Sequence, residues 1–464
     1  MRPTNRPAGA SGAIAADAQA ALWPSPWPAE DGGPARRQAF LGRGGLRISS
    51  GDRLELAARR DAFASTMIVL REPGEVFALR HALGRRPLRD PSQAWVERVD
   101  ARTLEPLAAS PRLEGGPFWP GGLSVHSDGT LHVVHGRFCH RLSLALEVMA
   151  SRELPQPRPY NSFVVLADGT LAMKEIDRDL RAPAHLTLLD PVTLEPRCPE
   201  VVLPEPAIAR LSADGGDVYV VGITTVWRYR WDGHSLEKGR EWRVHYHGGS
   251  RHSYGWDPVI AGGQLWFLDN GSHDYATTMR GAGLAPGPVR LIRASLADCA
   301  DTEIVEVSGA ARGTVTNPPL YDPARQIAVA YDSGNGVIQA FRFRGGLTPL
   351  WRTELSHAAH MVLFPDTGEL VVHDYRGPRL ARTGWARKIG QRTSGLAGSA
   401  AVRHAMARSS ADEVVVLDVE TGAERARCAV PSMFQSVLFP APGFDRDLYW
   451  CTFSTLARLE VVAG

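Results

Sequence analysis

One short alternating apolar pattern occurs eight times along the 464-residue chain, and no other feature constrains its folding as much. The copies begin at Glu75, Thr130, Thr170, Asp217, Gln264, Gln326, Glu369 and Asp447, with successive starts 55, 40, 47, 47, 62, 43 and 78 residues apart. Alternation with a period of two marks a strand. Self-similarity at roughly 40 to 50 residues marks a blade of four such strands, and the wider spacings require insertions.

Each copy follows an apolar run and a turn rich in Asp, Gly or Pro, as in Phe163 to Gly169 and Met361 to Gly368. That is the signature of a hairpin, strands A and B of a blade. A third strand follows, for example Ala94 to Asp100, His185 to Asp190, Val226 to Trp231 and Glu413 to Asp418. It ends in the turn Asp100 to Glu105, Asp190 to Glu195 or Asp418 to Glu424, where Asp and Thr can satisfy turn amides before strand D.

This Asp-x-x-Thr turn, followed by Leu or Gly, resembles the repeats of the quinoprotein-like (PQQ-type) β-propeller superfamily over most of residues 44 to 464. The resemblance implies an all-β chain forming a single closed β-propeller of eight four-stranded blades, with seven as the alternative count. No match is found to the tryptophan-docking repeat or the cofactor-binding residues of true quinone dehydrogenases, so PQQ is not expected. The last repeat stops three strands in, at Thr455 to Val461, and Arg53 to Arg59 has the alternation of the missing outer strand. An N-terminal strand is therefore expected to close the ring and hide its sheet edges.

With 44% hydrophobic and 22% charged residues, global disorder is excluded. A net charge of +2 supplies no overall field for nucleic acid or an anionic membrane, so neither is an expected partner. Cys139, Cys198, Cys299, Cys428 and Cys451 are odd in number and form no Cys-x-x-Cys pair, which points to reduced thiols. Ala13 to Leu22 is interrupted by Asp17 and does not read as a secretory segment, so a cytoplasmic location is expected. Residues 1–38, rich in Ala, Pro and Gly, read as a flexible leader, and 39–464 as the propeller domain with a basic loop insertion at 376–412.

In a propeller the D-to-A and B-to-C connections emerge on one face. The long segments 82–93, 245–256, 271–288 and 376–412 are all of these kinds, which makes that face the functional candidate. Polar residues at strand ends converge there. His252, Tyr254, Asp257, His357, His360 and Asp374 are the candidate acid and base groups, and His252, His357 and His360 are expected to share one cavity. Arg80, Trp119, Asn161, Glu175, Trp256, Asn317, Tyr331 and Gln435 are candidate substrate contacts. A divalent metal at His252, His360 and Asp269 stays open. Each of these residues has the competing use of satisfying backbone groups.

The function expected from this set is an enzyme of lyase, isomerase or hydrolase type acting by acid–base chemistry at the axial pocket on an oligosaccharide or a small molecule, whose anionic character stays open. The alternative is a non-catalytic scaffold binding a peptide or protein on the same face. The insertion from Arg376 to Ala411 holds eight basic residues and no acidic one, and is the reason for considering an anionic ligand.

Overall fold

The structure is a computed structural model and describes residues 20–84, 90–177, 179–247, 249–271, 285–376, 411–432, 439–452 and 454–464. Its strands form eight separate antiparallel sheets, one per repeat. The innermost A strands are Ser65–Leu70, Gly122–Val125, Tyr160–Val165, Ser212–Asp214, Val259–Ala261, Leu320–Asp322, Val362–Phe364 and Ala441–Pro442, for blades 1 to 8 in chain order. Seven blades have four strands, and in blade 1 the outer strand is broken into Pro106–Ala109 and Leu113–Pro117, both paired with Pro91–Val99. The expected eight-bladed propeller is thus the observed fold.

The B strands explain why the repeat is so apolar. Leu131–His135 and Ile327–Asp332 are buried at every position, because both faces of a middle strand lie against neighbouring blades. Trp266 of blade 5 stacks on Tyr321 of blade 6, with ring centroids 4.4 Å apart, and is core as its strand spacing suggests. All five cysteines are free thiols, and burial pushes Cys139 up to about 12.

The recurrent turn works as its residues imply. Oδ1 of Asp100 accepts from the backbone N–H of Arg102 (3.0 Å) and Thr103 (2.8 Å), and Asp190 and Asp418 repeat the arrangement. The residue after the Thr is left-handed in all three copies: Leu104 (φ 66°), Leu194 (φ 59°) and Gly422 (φ 72°). Glycine takes that conformation without steric cost. The two leucines are fully buried, which offsets the strain.

Ring closure follows the alternation read in Arg53 to Arg59. Strand Arg53–Asp61 is the outer strand of blade 8 and runs antiparallel to Thr455–Val462, from Arg53 opposite Val462 to Asp61 opposite Thr455. Blade 8 therefore combines the strand that precedes blade 1 in sequence with three strands from the last repeat, so its edge pairing joins the first blade to the last.

The leader reading is corrected for residues 20–38. Residues 1–19 lie outside the described residues, but from Ala20 onward the chain runs as a strap along the inner edges of the A strands. The backbone N–H of Leu70 donates to Trp27 O, Val125 N–H to Pro28 O, Ala213 N–H to Pro34 O, Ile260 N–H to Ala35 O and Leu363 N–H to Gln38 O. Blades 1, 2, 4, 5 and 7 are capped in this way. Gln38 Nε2 reaches Pro319 O of blade 6 at 2.7 Å, and Glu30 accepts from Ser162 Oγ of blade 3. Strap residues Trp27, Arg36 and Gln38 are almost completely buried.

If blade 8 is part of one cooperative unit, cutting into its seam must lower global stability. Leu459 is fully buried opposite Leu56 and Leu448. Leu459→Ala is expected to cost about 2–5 kcal/mol by denaturant unfolding, with an unchanged slope. Faster hydrogen exchange confined to the two terminal strands, with the global midpoint unmoved, would instead show that the seam frays independently.

Candidate functional site

The strap carries charge to the axis. Nδ1 of His360, at the entry to the A strand of blade 7, lies 2.7 Å from Oδ1 of Asp31. Arg36 Nη1 lies 2.6 Å from Glu30 Oε1 and 3.3 Å from Asp31 Oδ2. Arg210, at the A-strand entry of blade 4, approaches Glu30 through Nε (2.9 Å) and Asp257 of blade 5 through Nη1 (3.1 Å), and its backbone N–H donates to Asp257 (2.6 Å). Phe439 of blade 8 covers His360 at 4.2 Å and Arg210 at 4.9 Å. Three carboxylates thus meet two guanidiniums and one imidazole, all buried. Asp31 (φ 56°), Arg36 (φ 49°) and Gln38 (φ 53°) are left-handed, a strained path that the surrounding contacts hold in place.

Burial alone would raise the Asp257 pKa, but Arg210 and Arg36 outweigh it and hold the carboxyl below its usual range. Burial would likewise lower that of Arg36, and Glu30 and Asp31 push it up instead. Lys174 of blade 3 has its Nζ 2.8 Å from Ala207 O, and burial brings it down to about 7 against the pull of Glu175 and Asp257.

Of the candidate acid and base groups, Asp257 and His360 therefore belong to this hub. His357 is next to it: its Nδ1 accepts from the backbone N–H of His373 (3.2 Å), and burial, aided by His373 and His360, takes its pKa well below the ordinary value. The neutral ring then carries its proton on Nε2, which makes no well-aligned hydrogen bond among the described residues, the backbone of Ala359 being nearby. His252 is elsewhere. Its titration is governed by burial, Arg290 and Arg251, and no contact among the described residues joins it to His357 or His360. The hub thus brings His357 and His360 together, and no contact among the described residues adds His252 to them. Tyr254 lies on the His252 side, its ring 6.2 Å from that of Trp256, and both are buried.

The carboxylates at B-strand ends turn out to tie loops. Glu175 accepts from the backbone N–H of His185 (3.0 Å) and pairs with Arg158 (2.6 Å). Asp269 accepts from Arg290 N–H (3.0 Å) and Nε (2.7 Å), and burial still raises it to about 6. Asp374 accepts from Ser356 N–H (2.9 Å) and faces Arg427 at 3.4 Å. Arg80 is paired with Glu97 at 2.8 Å. These groups are the start-of-strand equivalents of the Asp-Thr turns, and their positions at loop mouths come from that duty.

Other candidates stitch one blade to the next. Asn161 donates to Ile208 O (2.5 Å), Asn317 donates to Ala358 O, and Tyr331 Oη accepts from Asn317 N–H (2.6 Å), with burial raising its pKa. The carbonyl oxygens of the Asn161 and Asn317 side chains have no partner. Trp119 is buried at the entry to the A strand of blade 2. Gln435 and most of the basic insertion, 377–410, lie outside the described residues.

Glu30, Asp31, Arg36 and Arg210 were not among the sequence candidates. Their signal was present but weak: a segment of Pro and Gly that also carries Trp23, Trp27 and Phe40 is too aromatic for an unstructured tail.

No family model and no curated protein matches the chain. Among solved structures, a quinohemoprotein alcohol dehydrogenase from Comamonas testosteroni superposes with a TM-score of 0.62 at 9% identity, covering 98% of this chain and 83% of that one. The quinohemoprotein alcohol dehydrogenase ADHIIG from Pseudomonas putida HK5 gives 0.59 at 9%, covering 99% and 83%. BamB from Moraxella catarrhalis gives 0.54 at 11%, covering 88% and 97%. The chain shares the fold of PQQ-type β-propellers. No helix among the described residues is long and apolar enough to cross a membrane.

The axial residues do not suit the quinone that this fold type suggests. A quinone bearing several carboxylates needs unmatched cations, and Arg36 and Arg210 already face Glu30, Asp31 and Asp257. Glu30, Asp31 and His360 have ligand atoms within 4.8 Å of one another, the spacing of a metal site. Glu30 is nevertheless held by two guanidiniums and Ser162, which leaves only Asp31 and His360 for a cation and places positive charge beside it.

Lys174 gives a pH signature of this buried hub. Its folded pKa of about 7 lies below the ordinary lysine value of about 10.4. Between the two the unfolded chain holds a proton that the folded chain lacks, so stability rises with pH across that window, and the full penalty applies below it. Lys174→Met should therefore gain most, relative to the parent, at about pH 6 and least at about pH 9.5 in denaturant unfolding. A difference independent of pH would show that the amine stays charged when buried.

Proposed function

We propose that this propeller binds a small polyhydroxylated molecule at its axis and acts on it by acid–base chemistry, with His360 as the proton-transfer group. The observation that carries this is the approach of Asp31 Oδ1 to within 2.7 Å of His360 Nδ1, short of an aligned hydrogen bond, while Nε2 of the same ring makes no hydrogen bond among the described residues. A carboxylate at one ring nitrogen orients the imidazole and leaves the other for a substrate proton. The two atoms are within hydrogen-bonding distance but out of line, an arrangement that commonly tightens when substrate arrives.

The ligand class follows from the unfilled groups around the axis. Asn161 and Asn317 each offer a carbonyl oxygen, and His357 offers an N–H. Hydroxyls both donate and accept, and so can meet all three. The axial guanidiniums are already matched by carboxylates, so an anionic group on the ligand is not required by the hub.

A second reading, a platform for a protein partner, draws on a different observation. Of the seven exposed large apolar side chains among the described residues, Leu107, Leu144, Val148, Met149, Val192 and Val202 lie on the outer parts of consecutive blades 1 to 3. Blades 2 and 3 are joined there by Arg152 and Glu195 at 2.7 Å.

Calorimetry against a panel of monosaccharides, disaccharides and polyols separates the two. On the axial reading at least one compound binds. His360→Gln should then cut its turnover by roughly 100-fold or more while affinity changes only a few-fold. If no polyhydroxylated compound binds, and Val148→Asp with Met149→Asp removes a protein partner, the platform reading replaces it.

A further inference from the structure

Away from the axis, the strap helps to build a second concave site on the opposite face, where the A-to-B and C-to-D turns lie. An open groove of about 660 Å³ is bordered by strap residues around Arg43 to Arg47, the A-to-B turn of blade 8 at Asp445 and Arg446, and the C-to-D turn of blade 1 at Arg102. Phe40, Phe444 and Val461 are among its apolar lining residues.

The charges in the groove sort into two groups. Arg446 is already engaged by Leu46 O (2.6 Å), Arg47 O (2.9 Å) and Asp52 (2.8 Å), and Arg458 by Asp447 (2.7 Å) and Glu460 (2.8 Å). Arg43, Arg47 and Arg102 are exposed and make no ion pair among the described residues. Among those residues Asp445 is the one lining carboxylate without an ion-pair partner. Three guanidiniums against one carboxylate leave an excess of positive charge within a cavity of ligand size.

The strap backbone along the groove is fixed by contacts on both sides. Arg47 is left-handed (φ 50°), and buried Glu369 accepts from its N–H (3.0 Å) and from that of Ile48 (2.8 Å). Asp366 accepts from Gly44 N–H (2.7 Å), and Arg446 grips the carbonyls of Leu46 and Arg47 from the other side. A non-glycine residue in this conformation persists only where its surroundings over-determine it, and here they present an unpaired arginine to the groove.

We infer that this groove at the ring seam binds a compact polyanion, with two or more carboxylate or phosphoryl groups bridging Arg43, Arg47 and Arg102. Guanidinium forks suit both kinds of group. Because the walls come from the N-terminal strap, blade 1 and blade 8, an occupant ties the two ends of the chain together and raises the unfolding temperature. This inference stands independently of the axial reading.

The test uses the full chain with pyrophosphate and with citrate, against sodium chloride at equal ionic strength, followed by thermal unfolding and calorimetry. At least one anion is expected to stabilise the protein beyond the chloride control. A response to pyrophosphate alone identifies phosphoryl recognition, and one to citrate alone identifies carboxylate recognition. Arg43→Gln with Arg102→Gln, both exposed, should leave the unliganded unfolding temperature unchanged and weaken binding by about tenfold or more. Asp445→Asn should tighten it. The inference is overturned if neither anion exceeds chloride, or if the double variant binds as the parent does.

Discussion

The inner edges of the A strands face one another across the axis, and the satisfaction of their backbone groups is the constraint on which this molecule rests. A buried N–H or C=O left without a partner costs about 1–3 kcal/mol. Here the amides at Leu70, Val125, Ala213, Ile260 and Leu363 are met by carbonyls of the strap between Trp27 and Gln38. One segment thus contacts blades that are distant in sequence and fixes their spacing around the axis. The closing pair Arg53–Asp61 and Thr455–Val462 follows directly, since the strap continues into that outer strand.

The same segment brings charge where a propeller of this composition would otherwise have an apolar or wet centre. Glu30 and Asp31 are buried against Arg36, Arg210 and His360, with Asp257 completing the set. Buried ion pairs add little net stability, because desolvation offsets most of the attraction, but breaking one leaves an uncompensated charge. Moving the strap away would therefore strand Arg36 and Arg210 opposite no carboxylate of the strap. His360 is the one imidazole in this group, and neither of its ring nitrogens makes a hydrogen bond among the described residues.

The two candidate sites lie on opposite faces, yet both are built on the strap. Asp31 lies 2.7 Å from Nδ1 of His360 at the axis, and sixteen residues later Arg47 is clamped by Glu369 at the seam. Many acidic residues of a kind suited to chemistry are otherwise employed. Glu175, Asp269 and Asp374 hold the starts of neighbouring strands or loops, as Asp100, Asp190 and Asp418 hold the turns. In a chain made of short strands the number of strand ends is large, and each end needs such a group.

What the sequence by itself determined is the part that is local and repeated. Alternation in Leu131 to His135 or Ile327 to Asp332 needs only neighbouring residues to express it, and the Asp-x-x-Thr turn closes on its own backbone. Blade number, strand order within a blade and the partner of Arg53 to Arg59 were legible for that reason. The tertiary structure alone decided what meets across the axis. Nothing in the local pattern distinguishes Asp257, which joins the hub, from Asp269, which holds Arg290. Nothing local separates His360 from His252 either, because that distinction depends on which blade and which radius each occupies. The strap was illegible for the same reason: Pro34, Ala35 and Gln38 have no periodicity of their own, and their conformation is imposed by A-strand edges that exist only once the ring has closed.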